Sequence, residues 1–512
     1  MEAAKQLHAH LIVSGFHRNP FHISKVLISY AVSEPHLSEA ILVFKEVDNP
    51  NTFIYNTMLR AFAQSRNPID AILLYGRAKA EGLKQDHMTF PFIFKACARI
   101  PAAREGQWIH THAVKLGFIS DLFISNALIH LYCSFEEIDF AQKVFDEMPI
   151  RDFVSWNSLI CGCWQKHRFA DVLCYFNSMR AAQVKADKVT MVSVVSACSQ
   201  LGEWELAESM IKFIKENSIE VDVYLGNTLI DYYGRRGLVE SAQRVFDKMP
   251  QRNTMSMNAM VAAYAKAGNL PAARKIFDSI PQKDLVSWSS MITGYSQAGQ
   301  FSQALVLFRQ MQQAKFKPDK IVIVDVLSAC AHIGYLHLGR SIHCFIHRYQ
   351  ITRDIYVGNS LIFMYSKCGC IKEACQVFDG MIEKDTVTWN SIIMGLATSV
   401  DANAALLVFS NMLNRRFKPD DVTFIGVLTA CVHSGLVEKG LKLFRSMRRV
   451  HGLEPQMKHY GCVVDLLARA GEVEKAFEFI QQLPMSTDPV VWRTLLGACK
   501  VHGDVALAED AS

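Results

Sequence analysis

The sequence predicts an all-α solenoid of stacked helical hairpins, and three observations predict it. Nearly identical segments recur: RDFVSWNSLICG at 151–162, KDLVSWSSMITG at 283–294 and KDTVTWNSIIMG at 384–395. Within them Tyr55, Trp156, Trp288 and Trp389 hold one place and lie 101, 132 and 101 residues apart. Repeats of 35, 35 and 31 residues, with one extra short repeat in the middle interval, account for all three gaps. A period of this size marks a chain whose repeats are single supersecondary elements, each burying its apolar face only against its neighbours.

Cut on that rule, residues 20–488 hold fourteen repeats, beginning at 20, 52, 87, 122, 153, 188, 223, 254, 285, 320, 355, 386, 421 and 457. Each repeat carries two helical stripes. The second is the clearer: Ala141, Val144, Phe145 and Met148 return as Ala242, Val245, Phe246, Met249, as Ala304, Leu307, Phe308, Met311, and as Ala374, Val377, Phe378, Met381. All follow the i, i+3, i+4, i+7 spacing of one helix face. An earlier stripe such as Leu361, Ile362 and Tyr365 runs into Gly369, suited to the left-handed residue that closes a helix. Polar segments with proline or charge, KFKPD at 315–319 and MPIRD at 148–152, end the hairpin.

Composition fits a solenoid, which grows by addition and needs no single closed core. Half the residues are hydrophobic, no run approaches a membrane span, and the net charge of +5 speaks only weakly for a polyanionic partner. The fourteen cysteines contain no C-x-x-C pair. Cys97, Cys198, Cys330, Cys431 and Cys499 all take the eleventh place of a repeat, where a small apolar group is expected to pack, so neither a metal site nor disulfides are expected. His8, His110 and His343 likewise share a register and read as scaffold.

That register puts residue 1 at the seventeenth place of a repeat, so 1–19 is expected to be a partial repeat, and 489–512 begins another. Both ends are expected to cut through a hairpin, as in a shortened form of a longer chain. No signal peptide or Arg- and Ser-rich presequence is visible at residue 1.

These residues resemble the pentatricopeptide repeat family, specifically the plant class with alternating P, L and S motifs. The likeness rests on 35-residue repeats ending in KPD, on VTFIGVLTAC (422–431), on NSLIFMYSKCG (359–369) with VFDGM (377–381), and on MKHYGCVVDLLARAGEVEKAFEFI (457–480). In that reading 1–19 is a partial L repeat, and DPVVWRTLLGACKVHG (488–503) resembles the start of a truncated E motif. A tetratricopeptide array would show one period near 34 and other signature residues.

The resemblance implies a right-handed superhelical solenoid that binds single-stranded RNA, each repeat reading one base through its fifth and last residues. The asparagines alone fit helix N-caps as well. Their pairing with Asp or Asn at the end of nearly every repeat favours base reading. An ionised Asp only accepts, so it suits uracil and guanine; Asn also donates, so it suits cytosine and adenine. In the family a fifth-position Asn favours pyrimidines, and Ser favours purines.

The pairs are then Ser24 with Asn51 (A), Asn56 with Asp86 (U), Asn126 with Asp152 (U), Asn157 with Asp187 (U), Asn227 with Asn253 (C), Asn258 with Asp284 (U), Ser289 with Asp319 (G), Asn359 with Asp385 (U) and Asn390 with Asp420 (U). The L repeats carry Pro91, Val192, Val324 and Ile425 at the fifth place, and the last S repeat carries Gly461, so these are expected to discriminate little. The implied target is 5′-A-U-n-U-U-n-C-U-G-n-U-U-n-n-3′. By the same resemblance Phe53, Val154, Val286 and Val387, second in their repeats, wedge between bases, the alternative being plain packing. Arg151, Arg252, Lys283, Arg353 and Lys384 precede last residues and are read either as phosphate contacts or as solvated loop charges.

Proteins of this class mostly specify cytidine-to-uridine editing sites in mitochondrial or chloroplast transcripts. The chemistry needs a zinc deaminase with H-x-E and C-x-x-C elements, and neither occurs here. The chain is therefore expected not to be an enzyme and to bind no cofactor, membrane or small-molecule substrate. It would recruit a DYW-type deaminase and editing cofactors in trans, or be a shortened E/DYW-type copy whose deaminase domain lies beyond Ser512, with the edited cytidine four nucleotides beyond the base facing 457–488. A passive role in transcript stabilisation, processing or splicing is the alternative, and a protein-interaction solenoid a more distant one.

Overall fold

A computed structural model of the chain describes residues 2–32, 36–100, 102–349, 351, 354–399, 402–481 and 489–502. Arg353, the boundary at 488/489 and the tail from 503 lie outside the described residues. Among the described residues there are thirty α-helices and no strand. They group into two compact halves, 1–252 and 253–512, each described by itself.

In both halves every repeat is a helix pair. The first half begins with Glu2–Val13 and continues with hairpins such as Thr52–Gln64 with Ile69–Ala80, Leu122–Ser134 with Ile138–Glu147, and Phe153–Gln165 with Phe169–Ala181. The second half runs from Thr254–Lys266 with Leu270–Ser279 to Met457–Arg469 with Val473–Gln481, followed by Pro489–His502. Within each half, first helices touch first helices of adjacent repeats, while second helices touch their own first helix and the first helix that follows. The first helices therefore form the continuous layer. The 31-residue repeats differ chiefly in the second helix, which has 10 residues in Ile138–Glu147 and Ile371–Gly380 against 13 in Phe169–Ala181 and Phe301–Gln313. About one turn is missing.

The stripes read from the sequence face the core: Ala141, Val144, Phe145 and Met148 are buried, as are Ala304, Leu307, Phe308 and Met311. Gly369 closes its helix at φ +75°, with Cys370 N–H donating back to the Tyr365 carbonyl at 2.8 Å. His167 stands at the same place in its repeat with φ +58°, a conformation that costs a side-chain-bearing residue about 1 kcal/mol.

A three-part stack joins three of the short repeats, 122–152, 254–284 and 355–385, to the next. Phe145 meets Trp156 edge to face at 4.7 Å between centroids, and Phe277 with Trp288 and Phe378 with Trp389 repeat the contact at 5.1 and 5.0 Å. Tyr55 meets Phe44 in the same way. On each of the three phenylalanines paired with Trp rests a cation, Arg151, Lys283 or Lys384, at 5.0–5.1 Å from the ring centroid. Arg151 also donates through Nε and Nη2 to the carbonyls of Phe145 and Asp146 at 2.9 and 2.8 Å, and Arg252 does the same to Phe246 and Asp247. Lys283 and Lys384 donate to Ile280 and Met381. These four cations are thus not free loop charges: they close the C-terminal ends of second helices, where orphan carbonyls and the helix dipole favour positive charge.

The histidine register links neighbouring repeats. His110 Nδ1 lies 2.7 Å from the Tyr132 hydroxyl, His343 Nδ1 lies 2.9 Å from that of Tyr365, and His8 is 3.4 Å from that of Tyr30. Burial lowers the pKa of all three imidazoles. The eleventh-place cysteines Cys97, Cys198, Cys330, Cys431 and Cys499 are buried, and burial pushes the thiols of Cys97 and Cys330 up to about 12.

Folding favours neutral imidazole at His110 and His343, so the unfolded chain binds more protons below its His pKa of about 6.5, and the stability present above that pH is lost as pH falls. The thermal midpoint should drop between about pH 7.5 and 5.5, and His110→Gln with His343→Gln should make that slope shallower. Arg151→Ala with Arg252→Ala should lower the denaturation midpoint, by about 1 kcal/mol per site, through lost helix closure.

Candidate nucleic-acid interface

The last residue of most repeats is the N-cap of the next repeat's first helix; Asp86 stands two residues before the N-cap Met88, and its side chain accepts from the N–H groups of Met88 and Thr89. Asp152, Asp187, Asn253, Asp284, Asp385 and Asp420 have extended backbones, and each side chain accepts from the N–H three residues on. The Ser or Thr at that third residue completes a capping box, its hydroxyl accepting from the cap N–H and donating to the cap oxygen, as Ser155 does for Asp152. Asn51 and Asp319 cap Ile54 and Val322 without the box.

The fifth residue reaches the same group from the other side. Asn Nδ2 donates to the last-position carboxylate at 2.8 Å in Asn56–Asp86, 3.3 Å in Asn126–Asp152, 3.0 Å in Asn157–Asp187, 3.0 Å in Asn258–Asp284, 3.4 Å in Asn359–Asp385 and 2.9 Å in Asn390–Asp420. The Ser289 hydroxyl donates to Asp319 at 3.1 Å. Seven of the nine expected pairs are therefore bonded. Ser24 instead donates to the Phe21 carbonyl. Asn227 belongs to the first half and Asn253 to the second, and the Asn227 amide is buried without a partner.

The N-cap alternative for the fifth-position asparagines is corrected by this geometry. Asn56 and Asn390 lie inside the helices Thr52–Gln64 and Thr386–Ala397, and capping falls to the last-position residue. Burial would raise the carboxyls of Asp152, Asp284 and Asp385. The N–H and hydroxyl of Ser155, Ser287 or Thr388, with the Asn amide, outweigh it and hold them below the ordinary value. They are ionised acceptors at neutral pH.

Two of the four repeats with an apolar fifth residue, 188–222 and 320–354, handle their last carboxylate differently. Asp222 and Asp354 cap the next helix and are neutralised by Lys188 at 3.2 Å and Lys320 at 2.8 Å, each the first residue of the same repeat. Sequence reasoning missed these lysines, whose common first place in the repeat was the available signal.

The second residue points away from the core. Phe53, Val154, Val286 and Val387 are exposed, against the plain-packing alternative. So are Phe21, Met88, Phe123, Val189 and Tyr224 in the first half and Met255, Ile321, Tyr356 and Val422 in the second; the thirteen range from 39 to 83% exposure. Nine of them were not singled out, although they recur in one register. In the first half a cavity of about 250 Å³ combines these parts, lined by Phe53 and Met88 from successive repeats, by Asn56 and Asp86, and by Arg60 and Gln64. Apolar walls flank a polar pair with a net acceptor. A planar heterocycle with N–H and C=O groups on its edge has that chemistry.

The model of the PPR repeat family matches residues 283–332 and 384–433, and that of the PPR repeat matches 53–83, 123–153, 154–184, 189–219, 227–254, 255–285, 359–386, 422–450 and 458–486. A mitochondrial pentatricopeptide repeat-containing protein of Arabidopsis thaliana is 41% identical over 99% of this chain and 75% of its own length. The chain belongs to the pentatricopeptide repeat family. A second relative in that plant, named as chloroplastic, is 35% identical over 99% of this pentatricopeptide repeat protein and 69% of its own length. Among solved structures, the pentatricopeptide repeat protein PPR10 of maize in complex with an 18-nucleotide psaJ RNA element shares the fold, with a TM-score of 0.59 at 16% identity over 96% of this chain and 78% of that one. Family models leave 20–51 and 87–121 unmatched, yet Pro20–Ala31 with Leu37–Glu46 and Thr89–Arg99 with Ala103–Lys115 are hairpins as well. Among the described residues no group of His, Cys, Asp and Glu is placed to hold a metal ion, and no helix is long and apolar enough to cross a membrane.

Because Asp187 both caps a helix and binds Asn157, Asp187→Ala should cost about 2 kcal/mol of stability, whereas Asp187→Asn, which can still cap and accept, should cost well under half of that. Denaturation midpoints of the full chain give the order.

Proposed function

We propose that this pentatricopeptide repeat protein binds single-stranded RNA, one base per repeat, and marks a cytidine-to-uridine editing site in a mitochondrial or chloroplast transcript. The observation that carries base reading is the cleft at Asn56 and Asp86, a hydrogen-bonded amide–carboxylate pair that forms a polar floor between the exposed Phe53 and Met88. Stacking on an apolar side chain and hydrogen bonding along the base edge are the two interactions by which proteins read single-stranded RNA.

Nine Asn or Ser residues with Asp or Asn partners then read bases, from Ser24 and Asn51 to Asn390 and Asp420. Repeats with Pro91, Val192, Val324, Ile425 and Gly461 space them. Phe53, Val154, Val286 and Val387 wedge between bases. That PPR10 was crystallised with RNA, and that relatives are named mitochondrial or chloroplastic, supports the ligand class and the compartment. The editing role rests on the alternating P, L and S motif pattern and the E-like segment from 488. Residues 1–512 contain no H-x-E or C-x-x-C element, so water attack on cytosine is assigned to a DYW-type deaminase domain outside them, acting with its editing cofactors.

Binding of the full chain to 5′-AUAUUACUGAUUAA-3′ at fixed salt should weaken about tenfold when the G facing Ser289 and Asp319 becomes U, and Ser289→Asn should reverse that preference. Equal binding to both RNAs by both proteins would sink base reading. For editing, plants lacking the chain should keep the target transcript at normal abundance with its cytidine unconverted; lost abundance with normal conversion would replace editing with transcript protection.

A further inference from the structure

Six Asn–Asp pairs look alike in sequence, and the structure divides them into two kinds. In the 35-residue repeats at 52–86, 153–187 and 386–420 the amide is held at both ends. Nδ2 donates to the carboxylate, and Oδ1 accepts from the hydroxyl of Thr89 at 2.9 Å, Thr190 at 2.6 Å or Thr423 at 2.6 Å, the third residue of the following repeat. In the 31-residue repeats at 122–152, 254–284 and 355–385, Oδ1 of Asn126, Asn258 and Asn359 is buried without any hydrogen-bond partner.

The residue at the threonine's place in those repeats is Ser155, Ser287 or Thr388, and its hydroxyl donates only to the carboxylate of Asp152, Asp284 or Asp385. Thr388 is itself a threonine, so residue type does not explain the difference. Repeat length does track it. The paired residues are 30 apart in the first kind and 26 in the second, and two of the three short-repeat pairs are stretched to 3.3 and 3.4 Å.

A carboxylate only accepts, so Nδ2 must face it in both kinds. Where threonine occupies Oδ1, the amide has one N–H left and offers a ligand a donor alone. Beside the carboxylate this makes a donor–acceptor pair, complementary to the C=O and N3–H of uracil and mismatched to the bare N3 of cytosine. Where no hydroxyl holds Oδ1, nothing on that side fixes the amide's rotamer, and an Oδ1 turned toward the cleft can accept from the amino group of cytosine.

We infer that Thr89, Thr190 and Thr423 are positioning residues that hold the fifth-residue amide as a donor, so that their repeats prefer uracil over cytosine more sharply than the 31-residue repeats do. The inference rests on the base-reading proposal above. A buried acceptor without a partner costs stability, which lowers the cost of turning the amide in the short repeats, whereas the long ones must first break the threonine bond.

The first test needs no variant. With the RNA 5′-AUAUUACUGAUUAA-3′, single U-to-C changes facing the repeats that start at 52, 153 and 386 should cost about fivefold more affinity than those facing the repeats that start at 122, 254 and 355. Equal penalties in the two groups overturn the inference while leaving base reading intact. Thr190→Val should lower the uracil preference at its own position about fivefold, and Thr190→Ser should retain it. Thr388→Val, which removes the same helix cap, should leave the preference facing Asn359 and Asp385 unchanged. An equal fall for Thr190→Val and Thr388→Val would assign the effect to the lost cap and overturn the positioning role. Failure of the wild-type chain to distinguish any of these RNAs from a scrambled one defeats base reading itself, and the inference with it.

Discussion

At the junctions after residues 86, 152, 187, 284, 385 and 420, one carboxylate oxygen carries most of the local order. In Asp187, Oδ1 accepts from the Thr190 N–H at 2.9 Å, from the Thr190 hydroxyl at 2.9 Å and from Asn157 Nδ2 at 3.0 Å. The first two bonds start a helix, and the third ties the preceding repeat's first helix to it. Three donors converge on one acceptor oxygen, and a hydrogen bond to a carboxylate is stronger than one to a neutral acceptor. Helix initiation, repeat spacing and the polarity of the cleft floor thus share an atom.

Stacking energy comes from elsewhere. The Phe145–Trp156 contact and its equivalents at Phe277 and Phe378 bury large rings between repeats, and the cations above those rings close the helix that carries them. The indole N–H groups of Trp156, Trp288 and Trp389 are buried without a partner, whereas the Tyr55 hydroxyl at the same place donates to Glu81. Shape at this place outweighs the loss of a hydrogen bond. His110 with Tyr132 and His343 with Tyr365 add a polar tie where the preceding second helix meets the next first helix.

Most of the fold was legible in the sequence because it is written in periods. Helix spacing, the burial of Cys97 and its equivalents and the scaffold place of His110 follow from register alone. The pairing of Asn157 with Asp187 was legible for the same reason. Register does not reveal what a side chain meets through space. Arg151 sits beside a last-position aspartate in sequence but turns back onto Phe145 and its carbonyls, and Lys188 joins an aspartate 34 residues away. The division of the asparagines was hidden because Thr190 and Thr388 stand at the same place, and only the distance to the amide separates them. The exposed second residues from Phe21 to Val422 were half visible: periodicity marks them, and burial decides that they belong to a surface.

The capping duty of the last residue limits how such a chain can change what it recognises. Only side chains with a short oxygen arm start a helix well, namely Asp, Asn, Ser and Thr. A replacement outside that set would alter the cleft and loosen the following hairpin together, so selection for a new ligand is taxed by folding at this place and not at the exposed second residue. Diversification at the junction is thereby biased toward a small alphabet: the two asparagines at 51 and 253 among aspartates are moves within it, and Gln456 stands outside it.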